Sequence, residues 1–266
     1  MYKNIALLCV FVLLYSLSLF LFSRQKTQKA MYAVLAFILL VMIYMTLSRT
    51  ILFFTPLAIL FFIFSLPASC HRKKILPFVG VCLLAGVVVF AFATNKQQQR
   101  ISEALENPLE ASTVISRMPL WEIGWKSFKA APLFGHGVQS YKTLHKAYMA
   151  EHKEELLEKY KFVEESNWHA HNIILGKLVD TGIAGTICFF IFYGLGFYYS
   201  LRAAKPENRW PAAFFAFYFL VGMMDDSLAR LNDSFVITLI GLAAALPQSS
   251  ARSGQAQELE KIEQTL

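Results

Sequence analysis

Four blocks of this chain run for about 16–20 residues without an acidic or basic side chain: Leu7 to Phe22, Met31 to Leu47, Ile51 to Leu66 and Ile75 to Phe92. As helices rising about 1.5 Å per residue, such blocks match the ~30 Å of hydrocarbon in a bilayer. Three more follow at Ile173 to Leu201, Trp210 to Met224 and Phe235 to Leu246, the last two shorter. The apolar residues come in blocks and not in the period of an amphipathic helix, so lipid replaces a water-excluding core as their solvent. Only 16% of residues are charged, where a soluble chain carries roughly a quarter. The expected fold is an all-α integral membrane protein, with about seven transmembrane helices and a large helical periplasmic loop.

The first block is too long for a signal-peptide core, and Ser23-Arg24-Gln25-Lys26 follows it where a small-residue cleavage site would stand. It reads as a retained span. All four cysteines, Cys9, Cys70, Cys82 and Cys188, fall in or beside spans and none in the large loop. That placement argues against a disulfide framework or a zinc site.

The placement of charge sets the topology. Residues 95–168 carry equal numbers of basic and acidic side chains, so the net charge of +7 lies elsewhere. Three short loops hold most of it: Arg24/Lys26/Lys29, Arg72/Lys73/Lys74 and Arg202/Lys205/Arg209. A nucleic-acid binder would carry a basic patch on a soluble face; these loops are cytoplasmic anchors under the positive-inside rule. Arg49, the large loop and the short loop at 225–233 then face the other side. The resulting division is 1–94 for four helices, 95–170 for the periplasmic loop domain, 171–247 for three helices and 248–266 for a polar cytoplasmic tail. Seven spans with a cytoplasmic C-terminus require an outward N-terminus, and Met1-Tyr2-Lys3 has no leader to carry it across. An odd number of spans ahead of Met1 is therefore expected.

Within the loop, Arg117-Met118-Pro119-Leu120-Trp121 opens a helix with proline in its first turn. Trp121, Trp125 and Phe128 fall at i, i+4 and i+7, and with Lys126 and Lys129 they suit a helix lying among lipid headgroups. Ala131 to Gly137 reads as a turn. A second, highly charged helix spans about Tyr141 to Glu165, with Leu156, Leu157 and Tyr160 on one stripe. The plain reading of it is a solvated, lid-like helix.

The densest cluster of chemistry is His169-Ala170-His171-Asn172, with nine residues between Asn172 and Gly182-Ile183-Ala184-Gly185. A histidine at a membrane edge is often only a satisfied polar group. Here Asn172 adjoins it, and the small residues that follow allow close helix packing. A metal site is the weaker reading, because histidines two apart point to different helix faces and no Cys or acidic ligand accompanies them. Arg49 stands between two apolar blocks with only Ser48 and Thr50 as polar neighbours. An arginine at that depth is costly and is either interfacial or functional. Arg49 and Arg117 both have the forked guanidinium that pairs with phosphate oxygens. Asp225, Asp226, Arg230 and Asp233 crowd one short loop, where they pair among themselves or orient a sugar acceptor. Gly135-His136-Gly137 follows a proline turn, lacks the lysine of a phosphate loop and is not read as one.

These residues together resemble the O-antigen ligases, a membrane family that also holds O-antigen polymerases and bacterial protein O-oligosaccharyltransferases. The resemblance rests on four elements over residues 40–200: Ser48-Arg49, Arg117-x-x-Leu120-Trp121, Ala131-Pro132-Leu133-Phe134-Gly135-x-Gly137, and His171-Asn172-x9-Gly182-x-x-Gly185. It implies about twelve spans for a full member. It also implies a metal-independent glycosyltransferase without cofactor, acting on the periplasmic face of the bacterial inner membrane. Such an enzyme moves a glycan from undecaprenyl diphosphate to an acceptor, which for ligases is a sugar hydroxyl of lipid A–core. By the same resemblance His171 is the essential loop histidine, and Arg117 and Arg49 the family's arginines. His169, Asn172, Trp121 and Asp225 stand as substrate-binding candidates. A sugar hydroxyl is a weak nucleophile, and an imidazole of ordinary pKa about 6.5 takes its proton as attack proceeds. Arginines stabilise the charge growing on the diphosphate. Direct displacement inverts the anomeric centre.

The alternatives within the family are the polymerase and the protein O-oligosaccharyltransferase. Outside it stand a transporter, a non-catalytic membrane scaffold and an inactive remnant. A transporter favours helices broken at mid-membrane with polar residues there, whereas Arg49 and Asp225 lie near span ends. The charge asymmetry predicts that an impermeant thiol reagent, applied to intact cells, labels a single cysteine at position 150 and spares positions 28, 73 and 205. Labelling at 73 and not at 150 overturns this topology.

Overall fold

A computed structural model describes residues 2–46, 48–67, 117–160, 169–203 and 205–224. Every element among the described residues is helical: α1 (Tyr2–Phe22), α2 (Lys26–Met45), α3 (Arg49–Ser65), α4 (Met118–Ala130), α5 (Tyr141–Tyr160), α6 (Ile173–Leu201), a short 3-10 helix (Pro206–Arg209) and α7 (Trp210–Met224). The spans expected at 75–92 and 235–246, the tail, and the loop residues 95–116 and 161–168 lie outside the described residues. Among the described helices, α1, α2 and α6 are long and apolar enough to cross a membrane. α3 and α7 are apolar but run only 17 and 15 residues.

The helices divide into two compact units. The first holds α1, α2, α3, the end of α6 from Ile191, the 3-10 helix and α7 as far as Tyr218. Its core is aromatic. Phe214, Phe215 and Phe217 of α7 are fully buried, and Phe11 of α1 meets the rings of Trp210 and Phe214 edge-on at 4.9 and 5.4 Å. Each such pair contributes about 0.5–1.5 kcal/mol beyond its buried area. α2 has two unlike sides. Ala36, Leu39 and Ile43 are buried on one, while Val34, Phe37, Val41 and Met45 stand exposed on the other at helical spacing. An exposed apolar stripe on such a helix suits contact with lipid or with another apolar helix.

Several polar groups of this unit find partners within it, as a low-dielectric surround favours. The Ser18 hydroxyl donates to the Glu207 carbonyl (2.6 Å), tying α1 to the 3-10 helix. The Arg209 guanidinium donates to the carbonyl of Ser65 (2.6 Å), which satisfies the C-terminal end of α3. Pro56 removes one donor inside α3, and the neighbouring Thr55 hydroxyl bonds back to the Ile51 carbonyl (2.7 Å).

The second unit holds α4, α5, α6 as far as Phe190 and the end of α7 from Phe219. Pro119 sits in the first turn of α4, as the sequence indicates. The three aromatics expected to share a face are not equivalent. Phe128 is buried, Trp125 is half exposed and packs on Phe128 (5.2 Å), and Trp121 is part-buried with its indole nitrogen out of solvent. α5 differs from the expected solvated helix. Tyr141, His145, Met149 and Leu156 form a buried stripe, Tyr160 packs beside it, and Leu157 points outward. The stripe and Tyr160 keep helical spacing on each side of His152, where the backbone departs from helical geometry: 141, 145 and 149 before it, 156 and 160 after it.

α4 and α5 are joined across their polar edges by Glu122. Its carboxylate pairs with Lys126 (3.0 Å) and Lys159 (2.7 Å) and accepts from the Tyr160 hydroxyl (2.6 Å). Lys126 also donates to the Tyr148 hydroxyl. Hydrogen bonds from Lys159 and Tyr160 lower the Glu122 pKa to about 2. A carboxyl depressed in the folded state stabilises it above the unfolded value of about 4.3, and this contribution is lost as pH falls toward the folded value. The detergent-solubilised chain should therefore lose thermal stability between about pH 4 and 2. Glu122→Gln should melt lower than wild type at pH 7 and show a smaller acid-induced drop. An unchanged pH 7 midpoint in Glu122→Gln, read by tryptophan fluorescence, would remove this clasp from the account.

Candidate functional site

α6 runs from Ile173 to Leu201 but is kinked, and its hydrogen-bond ladder is broken, at Gly182. At Gly182 the backbone takes φ 63°, ψ −167°, a region essentially closed to residues with a Cβ. The N–H groups of Ile183 and Ala184 would otherwise bond the carbonyls of Val179 and Asp180 one turn back. All four groups instead turn to the 131–137 segment. Ile183 donates to Pro132 (2.8 Å) and Ala184 to Leu133 (3.1 Å), while His136 donates to Val179 (2.9 Å) and Gly137 to Asp180 (2.9 Å). The turn thus replaces the two missing rungs of the helix.

The approach that makes this possible leaves no room for a side chain. A Cβ on Gly182 would lie 2.4 Å from the Leu133 carbonyl carbon, and one on Gly135 (φ 69°) would lie 2.6 Å from Gly182 N. The glycines of the two motifs are therefore two sides of one joint. The expectation that Gly182 and Gly185 serve close helix packing is corrected here: Gly182 receives a turn, and a Cβ on Gly185 would strike Thr181 of its own helix. The amides of His136 and Gly137 point at α6 carbonyls, which agrees with not reading that turn as a phosphate loop. Asp180 extends the joint. Its carboxylate accepts from the Gln139 amide (3.1 Å) and the Ser140 hydroxyl (3.2 Å), fixing the start of α5.

The histidine segment sits at the other end of the same stretch of α6. The Asn172 side-chain oxygen accepts from the Leu175 amide (3.0 Å), a standard N-cap. The Asn172 amide group donates to the Met223 carbonyl at the end of α7 (3.3 Å). Both ends of this side chain are therefore engaged in holding the start of α6. His171 precedes it with φ 52°, a left-handed conformation uncommon outside glycine. His169 and His171 lie before the helix begins, so the expectation of opposite helix faces does not apply. Their rings are 6.3 Å apart and perpendicular. Between them Ala170 is fully buried with Phe128, Tyr141 and Val179. A buried alanine flanked by two half-buried histidines pins the segment while leaving both rings at the surface.

α4 packs on this start of α6. A Cβ on Gly124 would meet Leu175 at 2.9 Å and Tyr141 at 3.4 Å, and the Tyr141 hydroxyl donates to the Leu120 carbonyl (2.8 Å). Arg117 is the N-cap residue of α4, its carbonyl accepting from the Trp121 amide (3.0 Å). It lies seven residues, about 10 Å along the axis, from Gly124. Arg117, Trp121, His169, His171 and Asn172 thus belong to one unit. Arg49 is the first residue of α3, in the other unit. Asp225 lies outside the described residues, as do Asp226, Arg230 and Asp233.

A family model described as O-Antigen ligase matches residues 33–190, a stretch that contains both glycine motifs and the histidine segment. The chain belongs to the O-antigen ligase family. It is also 28% identical over 106 residues to the exopolysaccharide production protein ExoQ of Rhizobium meliloti (strain 1021). That alignment takes in 40% of this chain and spans 23% of the relative's length.

Two residues of this O-antigen ligase family member were not singled out from sequence. Asp180 gave its only signal as an acidic residue inside an apolar block. His145 is buried on α5, stacks on Tyr141 (6.1 Å), and burial lowers its pKa. Its signal was the four-residue step from Tyr141. Among the described residues, no three His, Cys, Asp or Glu side chains gather at metal-binding spacing.

The joint predicts a ranking of glycine substitutions. Gly182→Ala meets both backbone strain and a 2.4 Å clash, and should largely abolish folded protein in membranes. Gly137→Ala has open space but φ +99°, and should cost about 1–2 kcal/mol. Gly194→Ala, with nothing within 4 Å, should be close to neutral. Membrane abundance and trypsin sensitivity at the 131–137 turn measure the series; Gly182→Ala behaving like Gly194→Ala would refute the joint.

Proposed function

We propose that this chain transfers a glycan from undecaprenyl diphosphate to a sugar hydroxyl of lipid A–core, with His171 as general base. The observation that carries the reading is the His169–Asn172 segment. It is fixed by a buried alanine, a left-handed histidine and a helix cap, and half-exposed at the head of a helix within the family match. Catalytic groups need such preorganisation, because a base that wanders loses the proximity on which it acts. Backbone strain at a functional residue is a recurring mark of it.

In the proposed reaction the acceptor hydroxyl gives its proton to the imidazole of His171 as its oxygen bonds to the anomeric carbon. The bond from that carbon to the diphosphate oxygen breaks, and undecaprenyl diphosphate leaves with the electron pair. Arg117 stabilises the charge that grows on it, and the N-terminal end of α6 favours negative charge on the same side. The anomeric centre inverts. No metal or cofactor enters the scheme. Asn172 acts by positioning His171, and His169 and Trp121 border the sugars. Arg49 keeps a role toward the donor phosphates and Asp225 one toward the acceptor, both on the resemblance alone. The reaction takes place at the periplasmic face of the inner membrane.

A second reading is favoured by one observation. The relative's name concerns exopolysaccharide production, which fits an acceptor that is itself a growing lipid-linked polysaccharide, as for a polymerase. The product decides. Ligation yields lipid A–core carrying glycan, and polymerisation yields a ladder of longer lipid-linked chains.

In native membranes supplied with undecaprenyl-diphosphate glycan, His171→Ala should lower transfer by about 10²–10⁴ while donor binding stays near wild type. Arg117→Lys keeps charge but loses the fork, and should weaken both donor binding and turnover. His169→Ala should be milder, and transfer should survive EDTA. Full activity of His171→Ala at matched abundance would sink the base assignment, and chelator loss reversed by one divalent ion would replace it with metal chemistry.

A further inference from the structure

The turn that completes α6 exposes large apolar side chains. Leu133 is 61% exposed, Phe134 78% and Val138 72%, and Trp125 at 51% lies on the helix leading into it. In water this cluster would be a liability, since large apolar side chains gain free energy on leaving water. Its position says where it goes. The hydrogen bonds from Ile183 and Ala184 hold Pro132 and Leu133 level with the point where α6 changes character. Before Gly182 the helix carries Lys177 and Asp180; from Ile183 to Leu201 it has no charged residue. Those 19 residues rise about 28 Å, close to the hydrocarbon thickness. Past the break the exposed surface of this unit continues as Ile183 and Ile187.

We propose that the 131–138 turn is a bilayer anchor, with Leu133, Phe134 and Val138 inserted into the acyl region at the edge of the α6 span. Each backbone group already paired lowers the cost of bringing a loop to the hydrocarbon edge. In this turn the carbonyls of Pro132 and Leu133 and the amides of His136 and Gly137 are bonded to α6, the Gly135 amide is bonded to the Ala131 carbonyl, and Pro132 has no amide hydrogen. The His136 ring is turned back to the Ser127 carbonyl (2.7 Å). Trp125 and the exposed Lys129 supply an aromatic and a cation at headgroup depth. The inference does not depend on the proposed reaction.

The test uses the full chain with Cys9, Cys70, Cys82 and Cys188 replaced by alanine, in vesicles of phosphatidylethanolamine and phosphatidylglycerol. A nitroxide is placed by Leu133→Cys, Phe134→Cys or Val138→Cys, with Ile187→Cys as span reference and Lys142→Cys as water reference. Collision rates with oxygen and with a water-soluble nickel chelate give depth. The three turn positions should match 187 in favouring oxygen, several-fold above 142. Values like 142 at all three overturn the anchor. So does a shift to oxygen that appears only after undecaprenyl phosphate is added, since the patch would then bind the donor's tail. Three independent positions keep the test available if one variant fails to fold.

Discussion

Four backbone groups released where α6 breaks at Gly182 govern the second unit. Near a membrane each unpaired carbonyl or amide costs several kcal/mol, so the break can exist only with its partner in place. The 131–137 turn is that partner, and it is also the end of α4 and, through Gln139 and Ser140, the beginning of α5. One joint therefore sets the register of three helices. It also explains why two glycines far apart in sequence are both required. Gly182 must adopt a conformation closed to other residues, and Gly135 must let the turn come close enough to bond.

A broken apolar helix would by itself favour a transporter, in which unwound backbone lines an ion or substrate site. The bonding pattern argues otherwise. The carbonyls of Val179 and Asp180 are taken by amides of the same chain, so this break coordinates the protein and not a ligand. Membership of the O-antigen ligase family agrees with that reading. Asp180 fits the same logic, its carboxylate being spent on the Gln139 amide and the Ser140 hydroxyl.

Sequence was most legible where solvent alone decides. The bounds of α6 and α7 follow from where apolar residues start and stop, and Pro119 marks the first turn of α4 because a helix tolerates proline there. What sequence did not reveal depends on partners distant along the chain. Gly182 reads as a small packing residue until the turn some fifty residues earlier is seen bonded to it. Charges dominate the surface of α5, so that only Leu156, Leu157 and Tyr160 stand out as a stripe, and the buried Tyr141, His145 and Met149 that extend it are hidden among them. The start of α6 at Ile173 follows from the apolar block, but the Asn172 cap and the left-handed His171 before it do not. Periodicity identifies the medium; it does not identify which distant backbone group completes a bond.

The spacing between Asn172 and Gly182 gains a physical meaning from these contacts. The cap fixes one end of that segment and the joint fixes the other, so the nine residues between them form a short rigid post. From His171 to Gly182 the rise is at most about 16 Å along the helix axis. The polar layer of a leaflet is roughly 5–8 Å thick. If the turn lies at the acyl boundary, as proposed, a base on this post reaches no deeper than the headgroups and no farther than a sugar or two beyond them. On the proposed function, a lipid-linked diphosphate would present its first sugar in that interval. Lengthening the post by one residue would rotate His171 by about 100° as well as raise it, so under that proposal the spacing, and not the histidine alone, belongs to the site.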